Sequence, residues 1–126
     1  MTPSHEQWAS QARYDLETAR AMMVSGRYLY VLFCCQQAVE KMIKAIIAKK
    51  TGEMPRRIHN LIRLAELAEI APPSDLLKFF GVLSSYYVQS RYPEEIAELA
   101  NSASGDMAQE ALNQTEESVK WLSSIL

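Results

Sequence analysis

Residues 28–50 read YLYVLFCCQQAVEKMIKAIIAKK, and neither proline nor glycine interrupts them before Gly52. Tyr28, Val31, Leu32, Cys35, Ala38, Val39, Met42, Ile43 and Ile46 recur three and four residues apart, which lays a broad apolar stripe along one α-helix. In the second half, Gln36, Gln37, Glu40, Lys41 and Lys44 fill the opposite side. In the first half that side carries Tyr30, Phe33 and Cys34 instead. A helix apolar nearly all round is buried on two sides, within its own fold or against another copy. The stretch therefore predicts a long helix at the heart of a helical protein, stopped by Gly52.

The flanking sequence fits the same class. A stripe of Trp8, Ala12, Leu16, Ala19 and Met23 predicts a helix over 5–24, with Ser4 and Gln7 forming a capping box and Gly26 ending it. Leu61, Ile62, Leu64, Ala65 and Leu67 predict a short helix over 59–68, closed by Pro72-Pro73. Leu76, Phe79, Phe80, Leu83, Tyr86 and Tyr87 predict a helix over 74–91, closed by Pro93. Ile96, Ala97, Leu99 and Ala100 allow a helical turn or two, followed by a loop over 101–105. Asp106 is the expected N-cap of a last helix over 106–126, with Met107, Ala111, Leu112, Val119, Leu122 and Leu126 facing the core. Strand-like alternation and internal repeats are absent from the sequence. Short connections between long helices imply antiparallel neighbours, hence an all-α, up-and-down bundle of four to five helices over 1–126.

Composition bounds the rest. The chain has 126 residues, 48% apolar and 22% charged, with four glycines and five prolines. That suits one domain with its own core. The net charge of -2 supplies no general basic field, so any nucleotide or RNA site must be a local patch. Cys34 and Cys35 are adjacent, and successive helix positions point about 100° apart, so they read as buried free thiols of a reducing compartment. The polar start of the chain does not resemble a secretory signal, and no apolar run of about 18 residues exists to span a membrane. The expectation is a cytoplasmic protein.

Few residues suggest chemistry. His5 and His59 lie in separate segments, and neither has a His or Glu three or four positions on, so no helical metal-ligand pair is present. No cofactor motif occurs, and neither cysteine has a base beside it in sequence. Two segments remain. In Gln36-Gln37-Ala38-Val39-Glu40-Lys41-Met42-Ile43-Lys44, Lys41 and Lys44 are neighbours on one face, and Glu40 and Lys44 make a well-oriented i,i+4 pair. That face is either solvated with one weak ion pair, or a place for phosphate. In Ser90-Arg91-Tyr92-Pro93-Glu94, Pro93 pushes Tyr92 out of helical geometry, and Arg91 sits where a cation suits the helix dipole. Arg91 is either a helix-end cap or a guanidinium fork held out to phosphate, with Tyr87 one turn earlier to stack on it or on a base.

Taken together, these segments resemble the HEPN family (higher eukaryotes and prokaryotes nucleotide-binding domain). The likeness runs through Trp8-Ala9, Asp15-Leu16, Gly26-Arg27-Tyr28, Phe33-Cys34-Cys35-Gln36-Gln37-Ala38-Val39-Glu40-Lys41, Lys44-Ala45, His59-Asn60-Leu61 and Ser90-Arg91-Tyr92-Pro93. It implies a helical bundle that dimerises and works around nucleotides or RNA. Many stand-alone bacterial and archaeal members pair with a minimal nucleotidyltransferase, often as toxin and antitoxin, and some are metal-independent ribonucleases. The ribonuclease members carry an Arg followed four to six residues later by His. Arg91 is followed by Tyr92, Pro93, Glu94, Glu95, Ile96 and Ala97, and no histidine occurs after His59.

The resulting expectation is a non-catalytic HEPN-like module, homodimeric, without cofactor or metal, binding a nucleotide or a nucleotidyltransferase partner. The candidate phosphate and base contacts are Lys41, Lys44, Arg91, Tyr92 and Tyr87. Gln36, Gln37, Glu40 and Pro93 are the structural residues of the motif. The alternatives are a ribonuclease toxin with an unconventional site around Arg91, and a scaffold in which Gln36, Gln37 and Glu40 form a buried network and Glu40 pairs with Arg91.

Overall fold

A computed structural model describes residues 2–126. Among these residues all regular structure is helical: α1 (His5–Val24), α2 (Tyr28–Thr51), α3 (Leu61–Leu67), α4 (Ser74–Gln89), α5 (Pro93–Ser102) and α6 (Gly105–Ile125). The all-α bundle is as expected, with one helix more than anticipated.

Local chemistry sets most boundaries. Ser4 caps α1 through a complete capping box with Gln7. Gly52 ends α2 in the left-handed conformation at φ 70°, where a side chain would be strained. Asn60 caps α3 by accepting from the Arg63 amide. This cap starts α3 two residues later than the stripe suggests and leaves His59 outside it. The end of α3 is also set before the proline pair: Glu69 adopts φ 56° and the Ile70 amide closes back onto the Ala65 carbonyl.

Pro93 has a double role. Tyr92 is extended and Pro93 takes the first position of a full ten-residue α5, where its missing amide hydrogen costs nothing. The expected loop over 101–105 is therefore mostly the end of α5 and the start of α6. Ser104, not Asp106, caps α6, accepting from the Met107 amide.

The second helix is the axis of the bundle. It packs along α1 and α6 and also touches α3, α4 and α5. Its apolar stripe, from Val31 and Leu32 to Met42 and Ile43, is fully buried. The unusual part is polar: Gln36, Glu40 and Lys44 are also buried, so the face expected to be solvated is covered. Tyr30 alone of the upper face stays largely in solvent, meeting Phe33 edge-on at 6.0 Å. No helix of the described residues is long and apolar enough to cross a membrane.

The seating of α4 on α3 decides where the later residues fall. Ser84 is buried, donates to the Phe80 carbonyl and accepts from the Leu61 amide at the start of α3. This one hydroxyl joins the two helices just below Tyr87 and just after His59.

Candidate functional site

The buried centre of the site is Glu40. Its Oε2 accepts from Lys44 Nζ at 3.0 Å. Its Oε1 accepts from Gln36 Nε2 at 3.0 Å and lies 2.9 Å from His59 Nδ1. Gln36 Nε2 also donates to the His59 carbonyl, and Gln37 donates to Gln36 Oε1. Buried charge is tolerated only when paired and hydrogen-bonded, and this carboxylate is both. The Glu40–Arg91 pair of the scaffold alternative does not form: Glu40 is partnered by Lys44 and His59.

His59 is held from three directions. Its carbonyl is fixed by Gln36, its Nδ1 by Glu40, and its ring stacks on Tyr87 with centroids 4.5 Å apart. The Tyr87 ring in turn lies 6.0 Å from the Arg91 guanidinium carbon. Helix spacing explains the second contact, since Tyr87 and Arg91 are four apart across the end of α4. Nothing in the sequence pattern announces the first, because His59 comes from the connection between α2 and α3.

The lysines go elsewhere. Lys44 is buried, balances Glu40 and lies 5.8 Å from the Trp8 ring centre. Lys41 sits 2.8 Å from an Asp15 carboxylate oxygen on α1 and within reach of Gln11. Both ammonium groups tie α2 to itself or to α1. An ammonium engaged by an internal carboxylate must leave that partner before it meets a phosphate. Lys41→Ala is expected to lower stability by about 1 kcal/mol in urea unfolding, as for a half-shielded pair. Nucleotide affinity should be unchanged; a large loss would place Lys41 in the site.

Arg91 and Tyr92 are exposed and Tyr87 is half-buried. Among the described residues no carboxylate pairs with Arg91. Beside it a cavity of about 210 Å³ is lined by Phe33, Gln36, Gln37, Tyr87 and Ser90. Phe33 and Tyr87 give it aromatic surface, and Gln37 and Ser90 give it polar groups. Thus Arg91, Tyr87 and Gln37 come together, with His59 on the Tyr87 ring.

The two thiols stand apart from this chemistry. Burial, with Asp15 adding repulsion, raises Cys34 above the usual thiol value. Burial pushes Cys35 up to about 12. A neutral thiol is a poor nucleophile, which fits structural cysteines.

The HEPN domain model matches residues 5–125, almost the whole chain. The chain belongs to the HEPN domain family. Two solved structures resemble this HEPN domain along their full length. TT1696 from Thermus thermophilus is 26% identical, with a TM-score of 0.83 over 97% of this chain and 98% of that one. ST0689, an archaeal HEPN homologue, is 26% identical, with a TM-score of 0.78 over 98% of each. No curated protein matches the chain. In this HEPN domain the motif that carried the likeness splits in two. Gln36, Glu40 and Lys44 are interior, while Arg91 and Tyr92 are surface.

Proposed function

We propose that this HEPN domain is a binding module for the phosphate of a nucleotide or RNA, acting as a homodimer and paired with a minimal nucleotidyltransferase. The observation that carries the phosphate reading is the exposed Arg91 fork, without a carboxylate partner among the described residues, beside Tyr87 and the aromatic-lined cavity. A planar guanidinium meets phosphate through two parallel N–H bonds, and an aromatic face next to it takes a base by stacking. Tyr92, 58% exposed and held extended by Pro93, offers a second ring at the same edge. The exposed Tyr30 beside half-buried Phe33 supports a contact with a second copy at the same end of α2. The nucleotidyltransferase partner, and with it a place in a toxin–antitoxin pair, rest on family membership.

Arg91→Ala tests the site. Binding of ATP and of a short single-stranded RNA should weaken about tenfold or more, corresponding to loss of one charge-assisted bidentate contact. Fluorescence anisotropy on both proteins measures it, with helical content checked by circular dichroism. Equal affinity in the two proteins removes Arg91 from the site.

A further inference from the structure

The buried charge behind Gln36 and Gln37 fixes which way both amides face, and the two amides border the cavity beside Arg91. We infer that this cavity selects a nucleobase carrying an exocyclic amino group, with Gln37 and Ser90 reading it and Glu40 setting the direction of the Gln37 amide; this rests on the phosphate-binding reading of Arg91.

The direction follows from donors and acceptors taken outward from the interior. Glu40 is a carboxylate paired with Lys44, so it only accepts, and the His59 carbonyl only accepts. Gln36 must therefore turn its nitrogen to both, at 3.0 and 3.1 Å, which uses both of its amide hydrogens. Its Oε1 faces the other way, and Gln37 must bring its own nitrogen to it, at 2.7 Å. Gln37 is left with its Oε1 and one N–H, neither with a partner among the described residues. Ser90 gives its hydrogen to the Tyr87 carbonyl at 2.6 Å, so its Oγ is left as an acceptor. Gln36, itself 1% exposed, keeps a spare lone pair on Oε1. These three side chains line the cavity together with Phe33 and Tyr87. The polar wall thus offers three oxygens and one N–H. Flipping one amide does not correct the imbalance, because each is held by the group behind it.

A ligand edge that satisfies such a wall is rich in N–H. The amino group of adenine, cytosine or guanine carries two, next to a ring nitrogen that can accept the one N–H of Gln37. Hypoxanthine and uracil lack that group: hypoxanthine and uracil present a keto oxygen where adenine and cytosine have the amino group, and oxygen against oxygen leaves both unsatisfied. Size agrees. Pockets that enclose a drug-sized ligand run to roughly 300–1,000 Å³, so a cavity of about 210 Å³ takes a single ring system and leaves ribose and phosphate outside. Phe33 and Tyr87 supply flat surface for that ring. The phosphate stays within reach of Arg91, which follows Ser90 in the chain and has its guanidinium carbon 6.0 Å from the Tyr87 ring centre.

Isothermal titration with AMP, GMP, IMP, CMP, UMP and ribose 5-phosphate tests this on wild type, Gln37→Leu, Ser90→Ala and Arg91→Ala, with helical content checked by circular dichroism. AMP and GMP differ from IMP, and CMP from UMP, in the amino group. At least one amino base should bind the wild type about tenfold more tightly than its keto counterpart, and the one that does so identifies the ring. Gln37→Leu and Ser90→Ala should each bring that pair to within about twofold and leave ribose 5-phosphate binding as it was. Arg91→Ala should weaken every ligand by a similar factor and keep the preference. A wild type that binds amino and keto bases equally, and loses both with Arg91→Ala, overturns the inference and leaves the phosphate reading standing. A preference undiminished in both Gln37→Leu and Ser90→Ala also overturns it. A wild type that binds none of the six overturns both readings.

Discussion

Glu40→Ala is expected to lower the unfolding free energy by about 3–5 kcal/mol, the cost of removing one partner from a buried ion pair. Three groups lose their acceptor at once. Lys44 Nζ is left as a buried ammonium over Trp8, whose indole N–H is itself without a partner among the described residues. Gln36 Nε2 keeps only the His59 carbonyl as acceptor, and His59 Nδ1 faces a small void. Domains of this size have about 5–15 kcal/mol in total, so the loss is a large share of the whole. Urea unfolding followed by circular dichroism measures it. Glu40→Gln should fall between wild type and alanine, since it restores an acceptor but not the charge. Lys44→Met in the alanine background should recover part of the loss by removing the stranded charge. A cost below about 1 kcal/mol, the range of solvated pairs, would show that water reaches Glu40 and that it is no fixed support for His59.

This network is only partly legible in the sequence, for a physical reason. Gln36, Glu40 and Lys44 stand four apart, and that spacing is the same for a solvated charged face and for a buried hydrogen-bonded one. What separates the two is whether other helices cover the face, a tertiary fact that a single-helix pattern does not contain. The apolar half of α2 is clear because Val31, Leu32, Val39 and Ile43 have only one environment that suits them. Pro93 is ambiguous in another way: the same residue that ends one helix is well suited to begin the next, and here it begins α5. The site divides along the same line. Tyr87 and Arg91 are readable together because four residues along a helix bring them together. His59 reaches Tyr87 from 28 positions earlier in the chain, and no local periodicity encodes that meeting. Its only local trace is Asn60, a cap residue that leaves the preceding residue outside the helix and free to turn toward α2.

Phe80→Ala carries the other large expected effect, about 3–5 kcal/mol and a fall of roughly 10–20 °C in the unfolding midpoint. Phe80 is fully buried on α4, where it belongs to the core shared with α2 and α3. Removing the ring forfeits its transfer energy and leaves a cavity that close-packed neighbours fill only in part. The consequence extends beyond stability because of what α4 carries. The Phe80 carbonyl accepts from Ser84, Ser84 holds the first amide of α3, and one turn further on are Tyr87 and then Arg91. If α4 settles into the void, the stacked contact between His59 and Tyr87 shifts with it. Phe80→Leu keeps most of the volume and should cost under about 1.5 kcal/mol. Calorimetry and RNA binding on the two variants separate the terms. The alanine variant, at a temperature where it is still folded, should bind more weakly than the leucine variant. Equal binding by both would mean that α4 holds its place through Ser84 and the α2 contacts alone, and that Phe80 supports the fold without positioning the site.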